Sequence, residues 1–271
     1  MPRNTTASRY LALARFDAAE CRRHGARLVA GVDEAGRGAL AGPVVAAIVV
    51  FDAGALAAGI EGLDDSKQLS PAVREALAPR IREAARAVAV GSATAEEIDR
   101  VNVLQATLLA ARRALDSLLS QGVAPDLVLT DYLRLDAGDR PVVPLVKGDA
   151  RSQAIAAASV IAKVTRDAWM RELDAEYPDY GFGGHKGYGT AAHLAALREC
   201  GASTVHRHSF RGVDFFEQEH RRSLTLQGVM SGLAAGRLAP QAARTAWADR
   251  SPLLPTCEDA VLERAIEHIE R

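Results

Sequence analysis

Acidic side chains follow apolar, β-branched segments at several separate places in the chain, each at the point where the segment ends. These acids are Asp33, Glu34, Asp131 and Asp149. Open α/β sheets place their ligands at the carboxyl ends of strands, so we expect the four acids to meet at one edge of a sheet. Neighbouring carboxylates repel one another unless a cation compensates, and the pattern therefore indicates a Mg²⁺ or Mn²⁺ site. Taken singly, each acid also fits an ordinary role as a turn residue or a helix cap.

A glycine-rich turn follows the first two acids and adds a second kind of chemistry. Gly36 and Gly38 leave backbone amides unshielded, so this turn can approach a sugar or a phosphate closely, and Arg37 adds positive charge. A plain hairpin turn with charged side chains in water explains the same residues. A third hypothesis is a dinucleotide-binding module that uses Gly36, Gly38 and Gly42, but that motif requires a helix next. Residues 43–51 are β-branched and predict a strand instead.

Composition narrows the class of protein. The 271 residues include 33 Lys plus Arg and 34 Asp plus Glu, so a local basic face, not the net charge of −1, must hold any polyanion. The apolar stretch 39–51 is too short to span a bilayer and contains Gly42 and Pro43, so we expect no membrane segment. The N-terminus lacks the apolar core of a secretion signal, and three cysteines without metal-ligand spacing suit a reducing compartment. These features predict a cytoplasmic enzyme or binding protein.

The elements that would position these residues follow from periodicity and capping signals. We expect strands at 28–32, 43–51, 87–92, 126–130 and 142–146, which place acids at three strand ends. We expect helices at 8–24, from Ser70-Pro71 onward with a kink or an end at Pro79, at 102–119 and at 152–177. Strands covered by helices predict an α/β fold with a mixed sheet. Residues 216–271 differ in character and predict a helical or partly disordered extension.

Ordered blocks of the sequence carry a resemblance to a known family. The blocks are Asp33-Glu34-Ala35-Gly36-Arg37-Gly38, Asp65-Ser66-Lys67, Lys147-Gly148-Asp149, Ala158-Ser159-Val160-Ile161-Ala162-Lys163, His185-Lys186-Gly187-Tyr188-Gly189 and His206-Arg207-His208-Ser209-Phe210. In this order, over residues 28–210, they resemble the signature of ribonuclease HII. The resemblance implies a ribonuclease H-like α/β fold, a mixed sheet flanked by helices, with a smaller helical C-terminal part. It divides the chain into a basic helical extension (1–27), a catalytic domain (28–215) and a C-terminal extension (216–271).

The resemblance also implies an activity and roles for individual residues. Family members cut RNA in RNA–DNA hybrids and cut 5′ of ribonucleotides embedded in duplex DNA, so nucleic acid is the expected partner of an expected monomer. Asp33, Glu34, Asp131 and Asp149 match the catalytic acids, which bind Mn²⁺ or Mg²⁺ in a two-metal mechanism. The matching substrate-binding residues are Gly36, Arg37 and Gly38, which read the ribose 2′-hydroxyl, Tyr188, which packs on the sugar, and Lys67, Lys147, Lys186, His206 and Arg207, which contact phosphates.

One position departs from the family pattern. A glycine usually follows the third acid in that pattern, whereas Tyr132 follows Asp131 here. The geometry of the loop after Asp131 is therefore the least predictable part of the site. An inactive hybrid-binding relative stays an alternative, although the presence of all four acids argues against it.

Overall fold

The computed structural model describes residues 6–64, 66–236, 238–248 and 257–270. Asp65 of the Asp65-Ser66-Lys67 block and residues 249–256 of the C-terminal extension lie outside the described residues. The strands are β1 (Leu28–Ala35), β2 (Val44–Asp52), β3 (Ala87–Ala93), β4 (Leu127–Asp131) and β5 (Val142–Leu145). The helices are α1 (Thr6–His24), α2 (Pro71–Ala84), α3 (Ala95–Val101), α4 (Val103–Ser120), α5 (Gln153–Glu176), α6 (Phe182–His185), α7 (Ala191–Cys200), α8 (Arg211–Ala234), α9 (Pro240–Ala248) and α10 (Cys257–Glu270).

The five strands form one mixed sheet in the order β3-β2-β1-β4-β5. β1 pairs antiparallel with β2, and β2 pairs antiparallel with β3. β1 and β4 run parallel, as do β4 and β5. The carboxyl ends of β1, β4 and β5 therefore lie along the same edge of the sheet, and the predicted mixed α/β fold is confirmed.

Alternate residues of β1 face opposite layers of helices, as the period of two in a strand requires. Val29 packs in the cluster that contains α5 and α2, whereas Ala30 and Val32 pack in the cluster that contains α4. A Cβ atom placed on Gly31 would lie 2.0 Å from the backbone carbonyl carbon of Ala154. The alanine-rich start of α5 thus rests directly on the centre of the sheet, and small side chains on both elements make that approach possible.

Capping residues mark the first residues of two long helices, at the positions that the sequence predicts. Ser70 caps α2 by accepting a hydrogen bond from the amide of Val73, and Ser152 caps α5 by accepting one from Ile155. Of the expected kink or end at Pro79, the end is wrong, because the helix continues past Pro79 to Ala84.

The first helix packs against the core beside α5. Leu13 and Cys21 of α1 belong to the core cluster beside α5, and the buried carboxylate of Asp17 accepts a hydrogen bond from the amide of Ala154 at 2.8 Å. This acid therefore caps α5 from a distant part of the chain.

The last three helices share a small core of their own. Val229 and Leu233 of α8 pack with Trp247 of α9 and with Leu262 and Ile266 of α10. The described residues of the C-terminal extension are thus mainly helical. No helix of the described segments is long and apolar enough to cross a membrane.

Candidate active site

The sheet brings three of the predicted acids together. Asp33 lies near the end of β1 and Asp131 at the end of β4, and the parallel pairing of Val32 with Thr130 sets the two acids side by side. Asp149 lies in the short 3₁₀ turn Gly148–Ala150 that follows β5. Carboxylate oxygens of the three aspartates all lie within 4.8 Å of one another.

A glycine makes the approach of the third acid possible. The amide of Gly148 donates a hydrogen bond to Oδ1 of Asp131 at 2.8 Å. A Cβ atom on Gly148 would lie 2.7 Å from the side chain of Ile155 and 3.3 Å from Cα of Asp131. Only a residue without a side chain fits between β4 and α5 here, and the next residue thereby reaches the cluster.

The acid cluster is electrostatically strained without a cation. Asp33 is 5% exposed, and its pKa is raised well above the usual value by loss of hydration and then by the negative charges of Glu34 and Asp131. The hydroxyl of Ser159 and the amide of Glu34 donate to Asp33 and offset part of this cost. Lys67 Nζ lies 3.1 Å from Asp149, but its side chain is 77% exposed and hydrated. Oxygen ligands of this kind suit a hard divalent cation.

Glu34 is oriented differently from the three aspartates. Its Oε1 accepts a hydrogen bond from Nη1 of Arg37 at 3.1 Å, and it is not a member of the tight oxygen cluster. Burial raises the pKa of Glu34, while the hydrogen bond and charge of Arg37 lower it. Glu34 and Arg37 thus form a neutralising pair at the mouth of the site.

A cavity of about 240 Å³ joins three of the four predicted acids, but not Asp149, to most of the predicted substrate residues. The predicted residues that line it are Asp33, Glu34, Asp131, Gly36, Arg37, Gly38, Lys67 and Tyr188. Sequence reasoning missed five further lining residues, Ala35, Ser66, Arg74, Ser159 and Lys163. Ser66, Ser159 and Lys163 lie within the family-like blocks, but nothing in the local pattern distinguishes a lining residue from a packing residue.

Tyr188 stands at one side of this cavity between two cations. Its ring centroid lies 5.5 Å from Nζ of Lys163 and 5.5 Å from Cζ of Arg166. Such cation–π contacts orient an aromatic ring without covering its edge. The ring is 36% exposed and stays open to a ligand in the cavity.

The two other predicted phosphate lysines lie outside this cavity. Lys147 is exposed and adopts a left-handed backbone, with φ of 54°, directly before the turn that carries Asp149. Lys186 also adopts φ of 54° and lines a neighbouring cavity of about 250 Å³, which shares Arg74 and Lys163 with the first. Both lysines remain at the margin of the acid site.

Two predicted phosphate contacts are corrected by the structure. His206 is 1% exposed and Arg207 is 0% exposed, so neither side chain reaches the surface where a phosphate would lie. Nε2 of His206 lies 3.0 Å from Nε2 of His193, and burial lowers the pKa of His206 to about 3. Arg207 donates to the carbonyl oxygens of Gly42 and Arg37. Both side chains are buried under the loops that form the site and hold these loops in place.

The loop after Asp131 accounts for the departure at position 132. Tyr132 adopts φ of 58°, in the left-handed region that glycine occupies without cost. Its amide donates to the carbonyl oxygen of Leu145 at 3.0 Å, which keeps the loop beside β5. Tyr132 is 75% exposed, so its side chain projects into solvent and does not displace the neighbouring acids.

The dinucleotide-binding hypothesis is wrong. The glycine turn leads from β1 into β2, which returns antiparallel along β1 with Asp33 opposite Ala47. Residues 36–43, all of them described, contain no helix, so no helix N-terminus is present after the turn to receive a pyrophosphate. Gly42, with φ of 79°, serves the hairpin connection instead.

Comparison with known proteins agrees with this geometry. A family model for ribonuclease HII matches residues 30–213. The ribonuclease HII of Delftia acidovorans is 52% identical over 219 residues, which cover 81% of this chain and 88% of that protein. The crystal structure of ribonuclease H2 from Pyrococcus horikoshii OT3 is similar with a TM-score of 0.57 at 28% identity, covering 72% of this chain and 99% of the other. Bst-RNase HIII in complex with Mn²⁺ shares the fold, with a TM-score of 0.57 at 22% identity, covering 82% of this chain and 75% of the other.

Proposed function

The chain belongs to the ribonuclease HII family, metal-dependent endoribonucleases that cleave RNA in RNA–DNA hybrids, and we propose that Asp33, Asp131 and Asp149 hold its catalytic cation. The observation that carries the proposal is the convergence of three carboxylate oxygens within 4.8 Å at one edge of the sheet. Burial of Asp33 makes this convergence costly unless positive charge is bound. Glu34, paired with Arg37 at the mouth of the site, completes the acid set.

The bound cation is Mn²⁺ or Mg²⁺ in this proposal. Hard carboxylate oxygens fit either ion, and a fold relative has been crystallised with Mn²⁺. When bound, divalent cations supply an activated water for attack on the scissile phosphate and stabilise the leaving 3′ oxygen. Asp33 is held for this role by hydrogen bonds from Ser159 and from the amide of Glu34. Oδ1 of Asp131 is held by the amide of Gly148.

Selection of RNA depends on the two sides of the cavity. The turn formed by Gly36, Arg37 and Gly38 offers backbone amides to the ribose 2′-hydroxyl, the group that distinguishes RNA from DNA. Tyr188 faces the same cavity and packs on the sugar. A site that recognises one hydroxyl acts on a single ribonucleotide, so we propose cleavage on the 5′ side of a ribonucleotide embedded in duplex DNA.

Positive side chains around the cavity would contact the backbone of the duplex. Lys67 is 77% exposed beside Asp149, Lys147 is exposed beside the same acid, and Lys186 lies in the adjoining cavity. These lysines supply a local basic face that the net charge of the whole chain does not provide. Residues 28–215 act as the catalytic domain in this proposal, and the family match over residues 30–213 supports that division.

The test compares a duplex that contains one ribonucleotide with an all-DNA duplex of the same sequence, with Mn²⁺, with Mg²⁺ and with chelator. We expect cation-dependent cutting of the first duplex alone, on the 5′ side of the ribonucleotide. Asp33→Asn should abolish turnover and leave duplex binding measurable, whereas Asp116→Asn, a change to an exposed acid on α4, should have no effect. Equal cutting of both duplexes, or turnover by Asp33→Asn, would overturn the proposal.

A further inference from the structure

Two arginines lie in the interior directly beneath the proposed ribose-binding side of the cavity. Arg166 on α5 and Arg207 before α8 are both 0% exposed. Within the described part of the chain, the guanidinium hydrogen bonds of both go to backbone carbonyl oxygens, and Asp167 and Asp99 act on them only through their charge. Burial lowers the pKa of Arg207 to about 9, with the neighbouring charge of Arg166 as a further cause. Burying two guanidinium groups that hydrogen-bond only to neutral carbonyl oxygens costs free energy.

Both guanidinium groups are bound by backbone carbonyl oxygens of the loops that form the site. Arg166 donates from Nε to Pro43 at 2.9 Å and from Nη2 to Ala41 at 3.1 Å. Its remaining nitrogen, Nη1, donates to the carbonyl oxygen of Lys186 at 2.9 Å. One rigid group thus connects the segment after the glycine turn with the loop that carries Tyr188.

Arg207 completes the connection on the turn itself. It donates from Nε and Nη2 to the carbonyl oxygen of Gly42 at 3.0 and 2.9 Å. From Nη1 it donates to the carbonyl oxygen of Arg37, the central residue of the glycine turn, at 2.9 Å. The two ends of the segment 37–42 are therefore held by one side chain.

The turn rests directly on the first of these arginines. Gly36 has φ of 94°, and a Cβ atom there would lie 1.9 Å from Nε of Arg166. The same guanidinium lies 5.5 Å from the ring centroid of Tyr188. Arg166 thus lies against both sides of the cavity, Gly36 of the turn and the ring that would pack on the sugar.

We propose that Arg166 and Arg207 are positioning residues that set the separation between the glycine turn and Tyr188, and thereby the placement of the ribonucleotide sugar for cleavage. The inference rests on the proposed role of the turn and Tyr188 in ribose recognition. Neither arginine touches substrate. A planar guanidinium with donors on several sides can bridge two loops, whereas a lysine ammonium is a compact charge that cannot reproduce the fork. Arginine-to-lysine changes therefore keep the charge and remove the bridge.

The experiment uses the full chain with Arg166→Lys and Arg207→Lys, and with Arg113→Lys as control. Arg113 also donates to a backbone carbonyl oxygen, that of Ser92, but its side chain is 46% exposed. Steady-state cleavage of the single-ribonucleotide duplex gives kcat and KM, calorimetric titration gives Mn²⁺ affinity, and thermal melting gives the folded fraction. Arg166→Met and Arg207→Met remove the charge as well as the bridge.

For both lysine variants we expect kcat per folded molecule to fall about tenfold or more, as for loss of a hydrogen bond from a charged group. KM and Mn²⁺ affinity should stay close to those of the unmodified chain, because phosphate and cation contacts are intact. Misplacement of reacting groups lowers turnover in this way. The methionine variants should lose at least as much kcat, and the control should lose none.

Different outcomes separate this inference from the proposed function. If the unmodified chain cuts ribonucleotide and all-DNA duplexes equally, the proposed function fails and the inference fails with it. If the unmodified chain discriminates and the lysine variants retain full kcat per folded molecule, the inference alone is overturned. A loss of Mn²⁺ affinity that accounts for the whole loss of kcat would also overturn it, because the arginines would then act through the acids.

Discussion

Replacement of Asp33 by asparagine should stabilise the cation-free protein while it removes the catalytic function. Asp33 is almost fully buried, and its carboxylate oxygens lie within 4.8 Å of those of Asp131 and Asp149. At this separation and an effective dielectric constant of about 20, two unit charges repel by roughly 3.5 kcal/mol. Asparagine keeps an acceptor for the amide of Glu34 and has a similar volume. The neutral side chain therefore relieves repulsion without creating a cavity.

We expect the free energy of unfolding in chelator to rise by about 1–3 kcal/mol, less than the full repulsion because Lys67 already offsets part of the charge on Asp149. At about 2–4 °C per kcal/mol, the melting temperature should rise by roughly 2–12 °C. The pKa of Asp33 is raised in the folded state, so the carboxylate costs stability as pH rises through that pKa. Melting at pH 8 should therefore show the largest gain.

Mn²⁺ should reverse the order of stability. A ligand that binds only the folded state stabilises it in proportion to the logarithm of its concentration over Kd, and Asp33→Asn weakens that binding. Thermal melts in chelator and in Mn²⁺ measure both effects, with Asp116→Asn as a surface control that should show neither. This electrostatic account of the acid cluster would be disproved if Asp33→Asn melted at or below the melting temperature of the unmodified chain in chelator. It would also be disproved if Mn²⁺ raised the melting temperature of the variant as much as that of the unmodified chain.

Four further changes test other parts of the structure. Lys67→Ala should raise KM for the duplex severalfold in low salt, measured by steady-state kinetics, because it removes an exposed cation beside Asp149. An increase in KM that was equally large at high salt would contradict this electrostatic reason. Tyr132→Gly should raise the unfolding free energy by up to about 1 kcal/mol in urea titrations by relieving a left-handed backbone, and a loss of stability would contradict it. Burial lowers the pKa of His206 to about 3 in the folded state, so the contribution of His206 to stability is complete above pH 6.5 and is lost as pH falls toward 3. His206→Asn should therefore flatten the decline of the unfolding free energy by up to about 1.4 kcal/mol per pH unit, measured in denaturant melts at several pH values. Gly31→Ala should cost several kcal/mol or prevent folding, as circular dichroism would show, because its Cβ would meet the backbone of α5 at 2.0 Å; a stable variant would mean that this contact is looser.

The elements and the acids of the site can be predicted because their signals are local. An apolar β-branched run followed by an acid specifies both a strand and the residue at its end, and this pattern alone identifies Asp33 and Asp131 as candidate cation ligands. The caps Ser70 and Ser152 mark helix starts in the same way. The meeting of the acids at one edge then follows from the general rule that parallel strands share their carboxyl ends.

The role of a charged residue cannot be predicted in this way, because exposure is a property of the whole fold. Arg207 and Lys67 have the same sign of charge and both lie in family-like blocks, yet one is 0% exposed and the other side chain is 77% exposed. Arg207 is buried because its donors find the carbonyl oxygen of Gly42, 165 residues earlier in the chain. No window of sequence contains both partners.

Local sequence therefore identifies the candidate residues and their order: the clustered acids, the glycine turn and the strands and helices around them. Which of those residues meet depends on the tertiary fold. It sets Asp33, Asp131 and Asp149 in one cluster, turns Glu34 toward Arg37 and places two arginines under the site. The physical reason is that local propensity follows from neighbours in sequence, whereas burial, charge compensation and hydrogen bonding follow from neighbours in space.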